Sequence, residues 1–422
     1  MEKKDIFIVG LLGLGILSFG QVLGNKWIII IALLFFLFFV ITAKDNLLPI
    51  LFMYLPWSPV LKISPTSVSF YSVAIAIMLG IHIIKKKKID VRILVSVMGL
   101  ALVTFFAKLV NEYEVTLSYV MFLVMLVAFP VIVNAAYEKT SFEICVIFFS
   151  FGIVSATLVS YAFSNNPNMM EYIRVIKQEY NGVSRLCGFY GDPNFYSAQI
   201  VTTVGCMLAI ITQKKKVLLN SLIVIALIVC GLTSLSKSFL LCVFLVFAIW
   251  LLIMMLKQSS RYLKILFLGI LLTVSVFASG VFTETINQYL VRFSSVRSLS
   301  ALTTGRTDLW VEYFEFLITN PIDMLIGQGY TNVFNTVHKG SHSTIVQSLY
   351  QLGLVGTVML FFWMKSFYTK RKKGNCLYFV LLLAACFSMW IGLDMMFFDD
   401  FFLNISLFFI ALHEMEERKQ EA

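Results

Sequence analysis

The chain has 422 residues, of which 59% are hydrophobic and only 13% charged, with a mean hydropathy of +0.88 and a formal net charge of +10. A soluble globular chain carries roughly 25% charged residues, so an ordinary water-soluble enzyme is excluded. Most of the positive excess is lysine at the ends of apolar runs, which is a topology signal and argues against nucleic acid as a partner.

Apolar runs fall near 6–23, 27–42, 47–61, 69–84, 93–110, 118–136, 143–163, 195–212, 217–235, 238–256, 265–283, 345–364, 376–394 and 401–413. Backbone groups in hydrocarbon must pair within their own segment, so runs of this length are helices. The alternating pattern of a lipid-facing barrel is absent. The expected fold is all-α: a polytopic transmembrane helical bundle of about 12–14 helices, forming one integral membrane domain over 1–422. Lys3 and Lys4 precede a first run without a clear small-residue cleavage site, so that run reads as a retained helix. The run 47–61 is short and holds Pro49 and Pro56, so it either crosses or re-enters.

If every run crosses once, Lys85–Lys88, Lys214–Lys216, the Lys257/Arg261/Lys264 group and Lys365–Lys373 share one side. That side is expected to be the cytoplasm, together with both termini. Two long polar loops, 164–194 and 284–344, then lie outside, and function is expected there and at the helix ends beneath them. Five of the nine arginines fall in these loops: Arg174, Arg185, Arg292, Arg297 and Arg306. Guanidinium suits a two-point grip on phosphate or carboxylate. The plainer alternative pairs these arginines with Glu284, Asp308, Glu312, Glu315 and Asp323. Helix centres carry almost no ionisable residue, and Asp394, Asp399 and Asp400 gather at the last exterior turn. Both points weigh against an ion-coupled carrier, which needs intramembrane carboxylates or broken binding helices.

Four segments carry candidate chemistry. In Arg185-Leu-Cys-Gly188-Phe-Tyr-Gly191-Asp192-Pro193-Asn194, the glycines permit tight turns and Asp192 or Asn194 can cap the next helix. A helix start with Arg185 just before it suits an anion; a plain capped turn is the alternative. Thr233-Ser-Leu-Ser-Lys237-Ser238 is a hydroxyl-rich exterior hairpin with a lysine where lysine is scarce, or simply a polar turn. In Thr304-Gly305-Arg306-Thr307-Asp308-Leu-Trp310, Thr303 or Thr304 can cap a helix that Asn320-Pro321 ends. Arg306, Trp310, Tyr313 and Leu317 share one of its faces, and the helix is expected on the outer leaflet with Arg306 at headgroup level. The alternative is an interfacial helix with an aromatic anchor. Last, His338-Lys-Gly-Ser-His342 leads into a helix containing Gly353 and Gly356. His342 reads as a base or hydrogen-bond donor, or as an interfacial cap. A metal pair with His338 lacks a clear third ligand, and the seven cysteines show no metal spacing, so no metal and no cofactor are expected.

In their order and sidedness these segments, from about 181 to 360, resemble the O-antigen polymerase and O-antigen ligase superfamily. The resemblance rests on Arg-x-x-Gly with Asp-Pro-Asn, the basic hydroxyl-rich turn, Gly-Arg with a following Trp, Asn-Pro and Gly327-Gln-Gly329, and the histidine before a Gly-containing helix. Lys237 stands where the family often has arginine, Ser343 where it usually has Asn, and Gln347 and Gln351 where an acidic residue is common. The resemblance implies a GT-C-like, metal-independent glycosyltransferase in the bacterial cell membrane. It would polymerise undecaprenyl-diphosphate-linked oligosaccharide repeats into capsular or O-antigen-type polysaccharide. Arg185 and Arg306 would grip the diphosphate with Lys237 assisting, and His342 would position or deprotonate the acceptor. Asp192, Asn194, Trp310, His338, Arg292 and Arg297 complete the expected substrate-binding set. Membrane lipids are expected partners, with a chain-length regulator and a flippase as candidate protein partners. Ligase-type transfer of finished glycan and a lipid-glycan transporter remain alternatives; a transporter should show inverted repeats or interrupted helices with midplane polar groups.

Overall fold

The computed structural model describes residues 3–43, 46–136, 139–173, 175–180, 182–213, 216–256, 283–294, 296, 298–330, 339–367 and 376–417. The expected run at 265–283 lies almost wholly outside the described residues, as do Arg174, Arg297 and His338. The first eight helices are α1 Lys3–Leu23, α2 Lys26–Thr42, α3 Leu47–Tyr54, α4 Phe70–Ile84, α5 Val91–Val110, α6 Leu117–Ala136, α7 Phe142–Ala162 and the short α8 Pro167–Tyr172. A hairpin, β1 Lys177–Tyr180 with β2 Val183–Leu186, precedes α9 Pro193–Thr212, α10 Val217–Leu232 and α11 Lys237–Leu256. Then come α12 Thr283–Ser294, α13 Leu299–Thr303, α14 Arg306–Thr319, α15 Pro321–Ile326, α16 Thr344–Met364, α17 Cys376–Phe387 and α18 Asp399–Glu417. The protein is an all-α bundle, and among the described residues seven helices are long and apolar enough to cross a membrane.

Local sequence explains where the helices start. Asn25, Ser69, Asp90 and Asp192 sit in extended backbone, and each side chain accepts an amide of the first turn of α2, α4, α5 and α9. Burial then sorts the helices. α9 is enclosed on nearly every side by α7, α10, α11 and α17, including its Ser197, Gln199, Thr202 and Thr203. By contrast α2, α5 and α11 expose large apolar residues such as Phe38, Leu102 and Phe244, the surface a bundle presents to lipid.

The run at 47–61 packs lengthwise against α1. It is α3 continued by the 3-10 segment Leu55–Val60, about 24 Å long. Tyr54 Oη donates to Gly10 O midway along α1, and Gln21 Nε2 near the far end of α1 donates to Val60 O. Every residue of α3 is buried, so this short span is sheathed by other helices and needs no lipid-matched length.

Two departures from uninterrupted spans matter for the site. The run at 376–394 is α17 followed by 3-10 turns at Ser388–Gly392 and Met395–Phe397. Helix α16 is broken at Gly353 (φ 63°, ψ −173°). The segment Gly327–Tyr330 dips into that break. Gln328 N donates to Tyr350 O at 2.8 Å, Gly329 N donates to Gln351 O at 2.9 Å, and the Tyr330 ring stacks on Phe122 at 4.2 Å. An interrupted helix is a transporter hallmark, which the sequence did not reveal. Here two of the carbonyls freed by the break are taken by loop amides, so they are not open to an ion.

Both long loops meet at one end of the bundle. Asn168 Nδ2 reaches Val22 O at the end of α1, Tyr172 Oη reaches Ile63 O, and Gln328 Nε2 reaches Asn111 Oδ1 at the end of α5. Lys85–Lys88 precede the opposite end of α5, about 30 Å away along its axis.

Candidate active site

The site is built on the turn between α10 and α11. Its hydroxyls are first spent on the turn itself: Thr233 Oγ1 donates to Cys230 O at 2.6 Å and Ser234 Oγ to Gly231 O at 2.7 Å. Leu235 takes a left-handed backbone (φ 48°), which turns the chain back towards α11. The next groups are left facing the loops. Arg185 Nε donates to Ser234 O at 3.2 Å, Arg292 Nη1 donates to Leu235 O, and Arg306 Nη1 donates to Ser238 Oγ at 3.3 Å. Three arginines from β2, α12 and α14 thus hang on one short turn. Lys237, in the same turn, lies over the Phe293 ring at 5.7 Å.

Each arginine is placed by its own element. The hairpin register sets Arg185 opposite Gln178, whose Oε1 accepts from Arg185 Nη1 at 3.3 Å, and Leu186 N donates to Thr233 O at 3.0 Å. Gly191 (φ 69°) then reverses the chain so that Asp192 caps α9, accepting Asn194 N at 2.6 Å. Asn194 is therefore not the cap, and its Oδ1 instead accepts from Ser236 Oγ at 2.7 Å, tying the start of α9 to the turn. Gly305 (φ 80°), not Thr303 or Thr304, occupies the cap position of α14. Arg306 lies against Gly392, where an added methyl would stand 2.6 Å from its Nη1.

Electrostatics couples the two loops. Arg185 is only 6% exposed, and burial, then Arg292, pushes its guanidinium down to about 10, with Asp192 opposing. It stays charged at neutral pH. Burial also lowers Arg306, and Asp192 and Asp394 oppose that shift. One carboxylate, Asp192, therefore lies within electrostatic reach of both. Among the described residues, neither Arg185 nor Arg306 makes an ion pair. The plain pairing scheme fails for these two: Asp308 accepts from Ser300 Oγ at 2.5 Å and Asp323 from Asn111 Nδ2 at 3.4 Å. Cations that are buried, as Arg185 is, or half-buried, as Arg306 is, and held by neutral carbonyls and hydroxyls keep much of their field, and that field favours an anion.

The second half of the site is organised by Asp394, to which the sequence reading gave no role. Its carboxylate, 7% exposed, accepts His342 N at 2.8 Å, Ser343 N at 3.0 Å and Ser341 Oγ. Thr344 Oγ1 adds a bond to Leu393 O at 2.6 Å. This grip holds His342 in a left-handed backbone (φ 49°) directly before the α16 cap residue, Ser343. The His342 side chain is exposed and makes no hydrogen bond among the described residues. Asp394 thus fixes the loop and leaves the imidazole free. Trp310 Nε1 donates to Ser341 O at 2.9 Å and Tyr313 Oη to Lys339 O at 2.5 Å, so α14 supports the same loop. Arg185, Lys237, Arg292, Arg306, Asp192, Asn194, Trp310 and His342 all lie at the loop end; Arg297 and His338 are outside the described residues.

Fold and site define a multi-pass membrane protein with a cationic cluster at one end of its bundle. Residues 221–362 match the O-antigen ligase family, which supports the O-antigen ligase and polymerase superfamily for this chain. The matched stretch runs from α10 to α16 and includes Lys237, Arg292, Arg306, Trp310 and His342, while Arg185, Asp192, Asn194 and Asp394 lie outside it. Members of that family are membrane glycosyl-transferring enzymes that act on lipid-linked glycans. No curated protein matches the chain significantly, and no solved structure does.

Proposed function

We propose that the protein is a metal-independent glycosyltransferase that polymerises undecaprenyl-diphosphate-linked oligosaccharide repeats at the outer face of the bacterial cell membrane. The observation that carries this reading is the gathering of Arg185, Arg292 and Arg306, from both loops, on the turn at 233–238. The lysine-rich ends of the bundle would face the cytoplasm, with both termini, and the arginine cluster would face out.

In the proposed reaction an acceptor hydroxyl oxygen attacks the anomeric carbon of the donor sugar. The bond from that carbon to the diphosphate oxygen breaks, and its electron pair leaves with the diphosphate. Arg185 and Arg306 stabilise the charge that collects there, more strongly in a water-poor site. Arg292 and Lys237 add to the field. His342 takes the hydroxyl proton, a role that typically contributes about 10²–10⁴-fold. Tethering both substrates in one leaflet supplies orientation. Arg185→Ala and Arg306→Ala are each expected to abolish long glycan while the protein still inserts; normal chain lengths in both would remove the diphosphate clamp. His342→Ala is expected to lower turnover and spare lipid-substrate binding.

Transfer of finished glycan to a different acceptor is the second reading, favoured by the name of the matched family. Incubation with lipid-diphosphate repeats alone, and then with a separate glycan acceptor added, separates the two: a product ladder without added acceptor means polymerase, and product only with that acceptor means ligase.

A further inference from the structure

Helix α14 has three distinct sides. Tyr313 and Leu317 are buried, with the Tyr313 ring edge-on to Tyr350 of α16 at 5.0 Å. Glu312 and Glu315 form an exposed acidic side. Between them Val311, Phe314 and Ile318 make an exposed apolar file at helical spacing, with Ile318 70% exposed. The file continues past Asn320-Pro321 on Ile322 and Leu325 of α15. Such a row, beside carboxylates and at the protein surface, is left uncovered among the described residues.

We infer that α14 and α15 lie along the membrane, with this file sunk in the hydrocarbon boundary of the leaflet at the loop end, the partner being the bilayer itself. Asn111 Nδ2 donates to Asp323 and Gln328 Nε2 donates to Asn111, which pins α15 to the end of α5. There α5 exposes Phe106, Leu109 and Val110, part of the bundle's lipid-facing flank. Exposed apolar residues therefore lie both on a candidate membrane span and on the loop helices tethered to its end. A three-sided helix of this kind suits an interface, where one side is wet, one apolar and one bound to protein. Charge argues against a second copy as the occupant, because a two-fold contact would bring the Glu312 and Glu315 sides of both copies together. The consequence is positional: Arg306, at the start of the same helix, is held at a fixed depth near the headgroup phosphates. The inference rests on the membrane reading of the bundle and not on the diphosphate reading.

The test uses the full chain in vesicles of phosphatidylethanolamine and phosphatidylglycerol, with a nitroxide at Ile318→Cys or Glu315→Cys and the labelled parent protein as blank. The ratio of collision with oxygen to collision with a water-soluble nickel chelate is expected to be on the order of tenfold higher at 318 than at 315. Equal access of the chelate to both positions would overturn the inference. So would spin–spin coupling between labels at 318, which would mean that a second copy covers the file. Neither readout involves glycan transfer, so the result stands apart from the fate of the proposed activity.

Discussion

Replacing Gly353 by alanine tests the link between the two halves of the site. Gly353 combines φ 63° with ψ −173°, a region that is essentially restricted to glycine, and a side chain there costs about 1–3 kcal/mol. The added methyl would also stand 2.5 Å from Gly327 N and from the backbone carbonyl of Leu325, so the dipping segment must move. Overpacking of that kind costs about 1–3 kcal/mol more. The amide bonds from Gln328 and Gly329 to α16 are the first to give way. We expect Gly353→Ala to lose about 2–6 kcal/mol of stability and to lower turnover, because His342 directly precedes the first half of α16 and Arg306 starts α14. Gly80→Ala serves as the control: nothing lies within 4 Å of its added methyl, and the exchange in α4 is expected to be neutral or to stabilise by up to about 1 kcal/mol. The assay is thermal unfolding in detergent at one fixed heating rate, with glycan synthesis measured in parallel. Equal melting of Gly353→Ala and Gly80→Ala would refute the role given to Gly327–Tyr330 in holding the break of α16.

Three further outcomes follow from the same geometry. Cys187 is fully buried, and burial followed by Asp192 pushes its thiol up to about 12; at pH 7 only about one molecule in 10⁵ is thiolate, so a maleimide should label it only after denaturation. Asp394→Asn leaves a side chain that cannot accept from Ser341, His342 and Ser343 as a carboxylate does; hydrogen bonds to a charged group are worth about 1.5–3 kcal/mol, so turnover should fall about 10–100-fold with lipid-diphosphate affinity unchanged or raised. Ser236→Ala removes the bond to Asn194 and should cost about 1 kcal/mol, read as a small drop in melting temperature with the chain still inserted.

Much of this architecture could be read before any coordinates, because run length and the lysine–arginine division carry it. The apolar runs gave the helices, and Arg185, Arg292 and Arg306 stand at one end as their position in two polar loops implied. What stayed hidden depends on partners far away in sequence. Nothing local to Gly353 says that Gly327–Tyr330 will fill a break in α16. Asp394 belongs to an acidic cluster visible in the sequence, yet its neighbours Asp399 and Asp400 turn instead to Ser72 and Gln199. Only packing separates the carboxylate that holds the His342 loop from the two that do not. Trp310 was expected as a substrate-binding residue or an aromatic anchor, and the bond from its indole N–H to Ser341 O, far along the chain, was not legible in the sequence. The proline-bearing run at 47–61 was ambiguous because a sheathed helix is free of the length rule that lipid imposes.

In the proposed mechanism the cations of the two loops hold one pyrophosphoryl group. The most direct measurement is a structure of the full chain in lipid with added undecaprenyl diphosphate. The account predicts diphosphate density in contact with both the Arg185 and Arg306 guanidinium groups, within reach of the His342 imidazole. Density elsewhere on the bundle, or contact with only one of those arginines, would contradict it.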